Sequence, residues 1–207
     1  MDLVGRGKLL IMVACDPIAG ADAVNAENEK SAFTLTTHLI REHGFESLSF
    51  LGDVDNSPDI AQRWRGFVRA LAQAEIAVAD RPIPCAPNEL SGRQNAARVL
   101  GSRPPRALVC ANHEIALGAI EAAEGLGLRV PGDVAVTGWD DVMAARHSRP
   151  GLTTVRQPMR ALGALVARRV HERLAGENGP PQSRVLATHL VLRASCGDHT
   201  KEDRINE

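Results

Sequence analysis

A chain of 207 residues, 44% hydrophobic and 24% charged, is long enough to bury a sizeable core and has the balance of an ordinary globular protein. A net charge of -1 with no Lys/Arg cluster along the chain excludes the basic footprint of a nucleic-acid surface. No apolar run reaches the ~18 residues of a membrane span, and the scattered Cys15, Cys85, Cys110 and Cys196 form no CxxC pair, which excludes a zinc ribbon or a disulfide scaffold.

Short apolar runs alternate with amphipathic stretches, the pattern of an α/β fold with a mostly parallel sheet. Leu9–Val13 reads as the first strand; the apolar run Leu9–Ala14 is too short for a secretory signal, which points to the cytoplasm. Glu29–His43 reads as a helix with Ala32, Leu35, Leu39 and Ile40 on one face and Gly44 as its stop. Ser47–Leu51 is a strand. Asn56-Ser57-Pro58-Asp59 then opens a helix with a capping residue, a Pro in the first turn and an acid near the positive dipole end. Arg81–Cys85 reads as a short strand and Leu90–Leu100 as a helix. Ala107–Cys110 and His113–Leu126 form the next strand and helix, and Val134–Thr137 the next strand, ended by Gly138-Trp139-Asp140-Asp141. An extended piece at Thr153–Val155 precedes a long helix, Pro158–Leu174, with Leu162, Leu165, Val166 and Val170 in line. Val185–Leu192 reads as the final strand, and the polar tail from Gly197 as frayed.

In open α/β sheets, ligands bind beyond the carboxyl ends of the strands. Those ends are followed here by Asp53 and Arg63, by Asn112 and His113, and by Trp139, Asp140 and Asp141. An Arg, an Asn, an Asp and an indole on one rim suit a small polyhydroxylated or heterocyclic ligand, because amide and carboxylate bond hydroxyls while the ring packs a face. The same residues also serve as caps and turns of strand–helix loops, and spacing alone does not decide between the two. Catalytic signatures are absent: there is no G-x-S-x-G, P-loop, HExxH or G-x-G-x-x-G in context, so neither an enzyme nor a cofactor is expected. No metal is expected either. Adjacent strand-end carboxylates such as Asp140 and Asp141 diverge, and the histidines show no ligand spacing, with His38 and His43 five apart and off a common helix face. On this reading a chelator leaves stability unchanged.

Three blocks carry a resemblance. They are Pro105-Arg106-Ala107-Leu108-Val109-Cys110-Ala111-Asn112-His113, then Val130-Pro131-Gly132-Asp133-Val134-Ala135-Val136-Thr137-Gly138-Trp139-Asp140-Asp141, then Leu152-Thr153-Thr154-Val155-Arg156-Gln157-Pro158. In order and spacing they resemble the effector-binding domain of lactose/galactose-repressor (LacI/GalR) regulators, a type I periplasmic-binding-protein-like fold of two lobes built on parallel sheets. Upstream, Val24-Asn25-Ala26-Glu27-Asn28 and Arg63-Trp64-Arg65-Gly66-Phe67 fit the same pattern. The resemblance implies that Arg63, Asn112 and Asp140 contact a small polar effector such as a sugar, that Trp139 holds the aromatic position, and that Asn25 lines the pocket. His113 departs from the family's usual acidic residue, and Glu27 from its usual Asp.

It further implies a first-lobe remnant at 1–24, a nearly complete second lobe at 25–155, a first-lobe helix at 156–184, a last second-lobe strand at 185–196 and a tail at 197–207. Family members begin with a helix-turn-helix head, a hinge and half of the first lobe, none of which stands in this sequence. A homodimer that reaches operator DNA only through such a head, with no membrane contact, is the expected assembly. Apolar residues of the remnant, Leu162, Leu165 and Val170, are expected to be exposed. A stand-alone solute-binding protein of the periplasmic sugar-binding type is the alternative on the same fold, and an export signal would favour it. An unrelated α/β enzyme would need a catalytic constellation that the sequence lacks.

Overall fold

The computed structural model describes residues 9–177 and 179–199, so the expectations for the chain start and for the tail beyond His199 lie outside the described residues. In chain order the elements are β1 (Ile11–Val13), β2 (Asp22–Ala26), α1 (Glu29–His43), β3 (Leu48–Leu51), α2 (Pro58–Gln73), α3 (Glu89–Leu100), β4 (Ala107–Cys110) and α4 (His113–Gly125). They continue with β5 (Ala135–Thr137), α5 (Met143–His147), β6 (Thr154–Arg156), α6 (Met159–Leu174), β7 (Ser183–Leu186), β8 (His189–Val191) and a 3-10 turn at Ala194–Cys196. The chain divides into two compact units. One comprises the residues up to Glu27 with Gln157–Thr188, the other Asn28–Arg156 with the chain from His189 onward.

The larger unit is an α/β layer structure. Its parallel sheet runs β3-β4-β5, extended by single parallel bridges from Leu51 to Ile83 and from Thr137 to Thr153. The expected strand at Arg81–Cys85 shrinks to the one bridge at Ile83, because Pro82 and Pro84 on either side have no N–H to give a ladder. Leu35, Leu39, Phe67, Leu71, Leu108, Ile115 and Val136 are buried in one core. Each such side chain contributes roughly 1.5–3 kcal/mol on leaving water.

The helices pair tightly, α1 on α2 and α3 on α4, at glycines. A Cβ on Gly66 would overlap the carbonyl oxygen of Glu29 and Ala32 Cβ; one on Gly118 would overlap the Glu89 carbonyl and the Arg93 amide. These crossings bring backbones into contact. They also hold the first turns of α2 and α4, which follow β3 and β4, at one end of the sheet.

The smaller unit has its own parallel sheet, β1-β2-β7, and the helix α6. Three strands stand where one was expected. The run Val185–Leu192, read as a single second-lobe strand, is two: β7 pairs with β2 in the smaller unit, while β8 pairs antiparallel with β6 in the larger. The break falls at Ala187-Thr188, where the Thr188 hydroxyl donates to the Glu27 carbonyl and the Glu27 N–H donates to the Leu186 carbonyl. Apolar residues stand on both sides of that break, Val185-Leu186 before it and Leu190-Val191-Leu192 after it, so composition hides it. Leu162 is not exposed as expected but buried with Val24 and Ala26, and Leu165 is partly covered by the same cluster. Beneath it Asp22 accepts from Arg169 Nε at 3.0 Å, Arg173 Nε at 2.7 Å and the Gln182 N–H at 2.7 Å. Burial alone would push the Asp22 carboxyl up; those donors outweigh it and hold it at about 2.

Two glycine substitutions separate helix propensity from close approach. Gly163 in α6 has open space around a built Cβ, so Gly163→Ala should raise stability by about 0.5–1 kcal/mol. Gly118→Ala gains the same propensity but forces α3 from α4, and should lower stability by roughly 1–3 kcal/mol. Urea midpoints of the two variants, moving in opposite directions, are the check.

Candidate functional site

The rim at the carboxyl ends of β3, β4 and β5 is built from three helix or loop starts. Ser57 caps α2, its hydroxyl accepting the Ile60 N–H at 3.3 Å, with Pro58 in the first turn. Arg63 stands on the second turn of that helix and reaches back across the strand ends. It is buried; its Nε donates to Asn28 Oδ1 at 2.8 Å and Nη1 to the Ala111 carbonyl at 2.6 Å. Its guanidinium lies over the Trp139 ring, 4.4 Å from the centroid. Burial lowers the Arg63 pKa to about 10, with the charges of Asp140 and Asp59 opposing that fall, so the group remains a cation at neutral pH.

Asn112 caps α4: its Oδ1 accepts the Ile115 N–H at 2.9 Å. The capping role is therefore real, and it uses Oδ1, not Nδ2. His113, the first residue of α4, holds Asp140 Oδ2 at 2.9 Å through Nδ1. Asp140 and Asp141 both take positive φ, 86° and 52°, a region that Asp tolerates better than most residues. That turn sends the two carboxylates apart, Asp140 to the half-buried rim and Asp141 into the interior. Asp141 Oδ1 accepts from Arg193 at 2.5 Å, and Oδ2 accepts from Arg156 at 2.6 Å and Arg146 at 3.0 Å. Burial acts to raise the Asp141 carboxyl, but bonds from Arg193, Arg156 and Arg146 prevail and hold it below the usual carboxylate range.

Of the five residues expected to bind ligand, Arg63, Asn112 and Asp140 come together in the larger unit, and two do not behave as expected. Trp139 is not a wall open to a ligand: it is 2% exposed and belongs to the core, where its face supports Arg63. The Leu152 and Ala116 side chains close on Gly138 just before it, leaving no room for a Cβ there. Asn25 lies on β2 of the smaller unit, and its carboxamide is committed to the Cys15 backbone, donating to the carbonyl at 2.9 Å and accepting the N–H at 3.3 Å. Sequence reasoning placed Asn28 in a resembling block and Asp141 at a strand end but missed their roles: Asn28 orients Arg63, and Asp141 anchors the Asp140 turn. It listed His113 at a strand end without assigning it the bond to Asp140. A buried Asp beside a half-buried one leaves no mark in a sequence; only the Arg at 146, 156 and 193 hint at a charge to be met. A surface cleft of about 230 Å³ opens beside this rim, lined by Gly52, Asp53, Trp64, Arg81, Pro82 and Pro84, and includes none of the five.

The periplasmic binding protein-like domain model matches residues 36–196. The chain belongs to that family. This domain is 34% identical to an HTH-type transcriptional regulator of Bacillus subtilis, YvdE, over 85% of the chain and 55% of the relative. The chain thus spans about 55% of the length of that curated relative. Among solved structures it is similar to a LacI-family regulator from Sanguibacter keddieii, with TM-score 0.85 and 30% identity over 93% of this chain and 75% of that one. It is also similar to the regulator CelR in complex with cellobiose, with TM-score 0.86 and 27% identity over 93% of this chain and 60% of that one. The periplasmic-binding-protein-like domain here is thus of the LacI type in both sequence and fold.

Asp141→Asn tests the anchor. Removing the charge that three arginines face should cost about 2–4 kcal/mol, less than for a fully enclosed pair because Arg146 and Arg156 are half exposed. The folded carboxyl sits below its unfolded value, so its stabilisation is present above about pH 4 and is lost as pH falls through that folded value. Parent stability should therefore drop between pH 5 and the acid limit more steeply than that of the variant, as read from urea melts across pH.

Proposed function

We propose that this chain is the effector-sensing domain of a LacI-type transcription regulator, a binding module and not an enzyme, working in the cytoplasm as part of a homodimer. The observation that carries the reading is the fixed pair of opposite charges on the rim. Arg63 is a desolvated cation locked by Asn28 and Ala111, and Asp140 is a carboxylate held by His113. Both are oriented before any ligand arrives, which lowers the ordering cost of binding. A small polyhydroxylated or heterocyclic ligand offers what they take: hydroxyls or ring N–H groups for Asp140, acceptors for Arg63 and for the Asn112 amide. The cellobiose carried by CelR supports a sugar as the first class to try.

The described hydrogen bonds at this rim tie Arg63 to Asn28 and the Ala111 carbonyl, and Asp140 to His113, so they orient a cation and a carboxylate. That favours recognition over turnover. In the whole regulator, effector binding would bias DNA affinity by the difference in its affinity for the two states, the operator being reached through a head domain.

The test is a thermal-shift screen of mono- and disaccharides, nucleosides and purine bases, followed by calorimetry on the best binder. Asp140→Ala should weaken that ligand by about thirtyfold or more, since it strips a charged partner from the bound molecule. Unchanged affinity in a variant with parental circular dichroism would remove Asp140 from the site.

A further inference from the structure

At the far end of α1 from Asn28, four side chains with metal-ligating atoms converge within the larger unit: His38 and His43 of α1, Cys196 of the 3-10 turn and His199 just beyond it. One ligand atom from each lies within 4.8 Å of every other. The imidazole centroids form a triangle, 5.1 Å from His38 to His43, 5.4 Å from His38 to His199 and 5.6 Å from His43 to His199. We propose that His38, His43, Cys196 and His199 bind one borderline transition-metal ion, Zn²⁺ in the first instance, in a structural His₃Cys site. No part of this rests on the effector reading.

The geometry is close to what the ion requires. With Zn–N near 2.0–2.1 Å and Zn–S near 2.3 Å, a tetrahedron has edges of about 3.4–3.6 Å. The four atoms must close by only about 1 Å, within reach of small side-chain rotations of half-buried rings. His199 is already prepared. Its Nε2 donates to the Arg193 carbonyl at 2.7 Å; because a carbonyl only accepts, the ring lone pair sits on Nδ1. Nδ1 is buried and has no hydrogen-bond partner among the described residues. A liganding imidazole has this same division, one N–H tied to a carbonyl and the opposite nitrogen bare. Cys196 is buried, with its sulfur 3.6 Å from His199 Nε2 and 3.1 Å from the Thr153 hydroxyl.

The donor set chooses the metal. Three imidazoles and one thiolate, with no carboxylate among them, suit Zn²⁺ and its neighbours and not Mg²⁺ or Ca²⁺. Burial pushes the Cys196 thiol up to about 11, against a smaller opposing effect of the Thr153 bond, so the metal-free thiol is protonated at neutral pH. Binding therefore releases that proton to solvent as the S–metal bond forms, and affinity rises with pH. Backbone design agrees: a Cβ on Gly197 would strike the His43 ring, so glycine lets the turn carrying Cys196 and His199 close on the end of α1. Gly197–His199 pack against the end of α1, where a frayed tail was expected to begin, and the four side chains meet only in three dimensions, which the spacing of the histidines in the sequence does not reveal.

The test loads the full chain, freed of metal by chelator, with Zn²⁺ and separately with Co²⁺. Expected are one ion per chain by calorimetry, a rise in melting temperature on Zn²⁺ that chelator reverses, and with Co²⁺ both tetrahedral d–d bands and a sulfur-to-cobalt charge-transfer band. Cys196→Ser should abolish the charge-transfer band, and Cys196→Ser and His199→Gln should each weaken Zn²⁺ at least about tenfold, while Cys15→Ser, in the other unit, changes nothing. If the Cys196 variant fails to fold, the parent's cobalt spectrum still decides. No saturable binding by the parent, or binding without a sulfur charge-transfer band, overturns the proposal; in that case the three imidazoles are a ring cluster, with His43 stacked on Phe45, and nothing more.

Discussion

The larger unit depends on one buried carboxylate. Asp141 has no solvent exposure at its side chain and takes three guanidinium groups from separate places in the chain, Arg146 on α5, Arg156 on β6 and Arg193 after β8. An unpaired charge there would be prohibitively costly, so the fold that satisfies it is strongly selected over alternatives that do not. Satisfying it has two consequences. It holds Asp141 in the left-handed region, which swings Asp140 outward, and it brings the last described segment against β5 and β6. Arg193 extends the effect: its side chain also donates to the Leu152 carbonyl, and its own carbonyl receives Thr153 and His199. Ser195 then bonds Val136 and Thr153, locking the turn that carries Cys196. One interaction thereby positions both the rim carboxylate and the histidine–cysteine cluster.

How far the sequence reveals this follows from the range of the forces involved. Helices and parallel strands are written locally, in apolar spacing, in the Ser57-Pro58 start of α2 and in the Gly44 stop of α1, and they appear where those signals stand. Strand ends then locate the rim, and with it Arg63, Asn112 and Asp140. What the sequence conceals is partnership at a distance. Asp22 and Arg169 are 147 positions apart, Asp141 and Arg193 are 52, and no periodicity joins them. The direction of a side chain is also hidden: Trp139 and Asp140 are neighbours, yet the first is buried in the core and the second stands on the half-buried rim. The break at Ala187-Thr188 is concealed for the opposite reason, because both strands beside it are rich in β-branched and apolar residues and read as one run.

The two polar centres of the larger unit differ in kind. On the rim, Arg63 and Asp140 each have internal partners while the Asp140 carboxylate stays partly exposed, which suits the recognition role proposed for it. At the histidine–cysteine cluster the side chains bring no charge when neutral, and His43 meets His38 and His199 edge-on, which suits a cation that supplies the missing charge.

Helix α1 joins them, with Asn28 at its start and His43 at its end, about 22 Å apart for a 15-residue helix. Coupling between two such sites requires an element with two arrangements that each ligand weighs differently. α1 is poorly suited to be that element. Gly66 locks it to α2 at backbone contact, and its buried residues Ala32, Leu35, Thr36 and Leu39 are fixed in the core. An ion at its C-terminal end therefore binds the folded unit in preference to the unfolded chain and stabilises it by mass action, while leaving the orientation of Asn28 and Arg63 unaltered. Metal occupancy should raise stability without changing effector affinity.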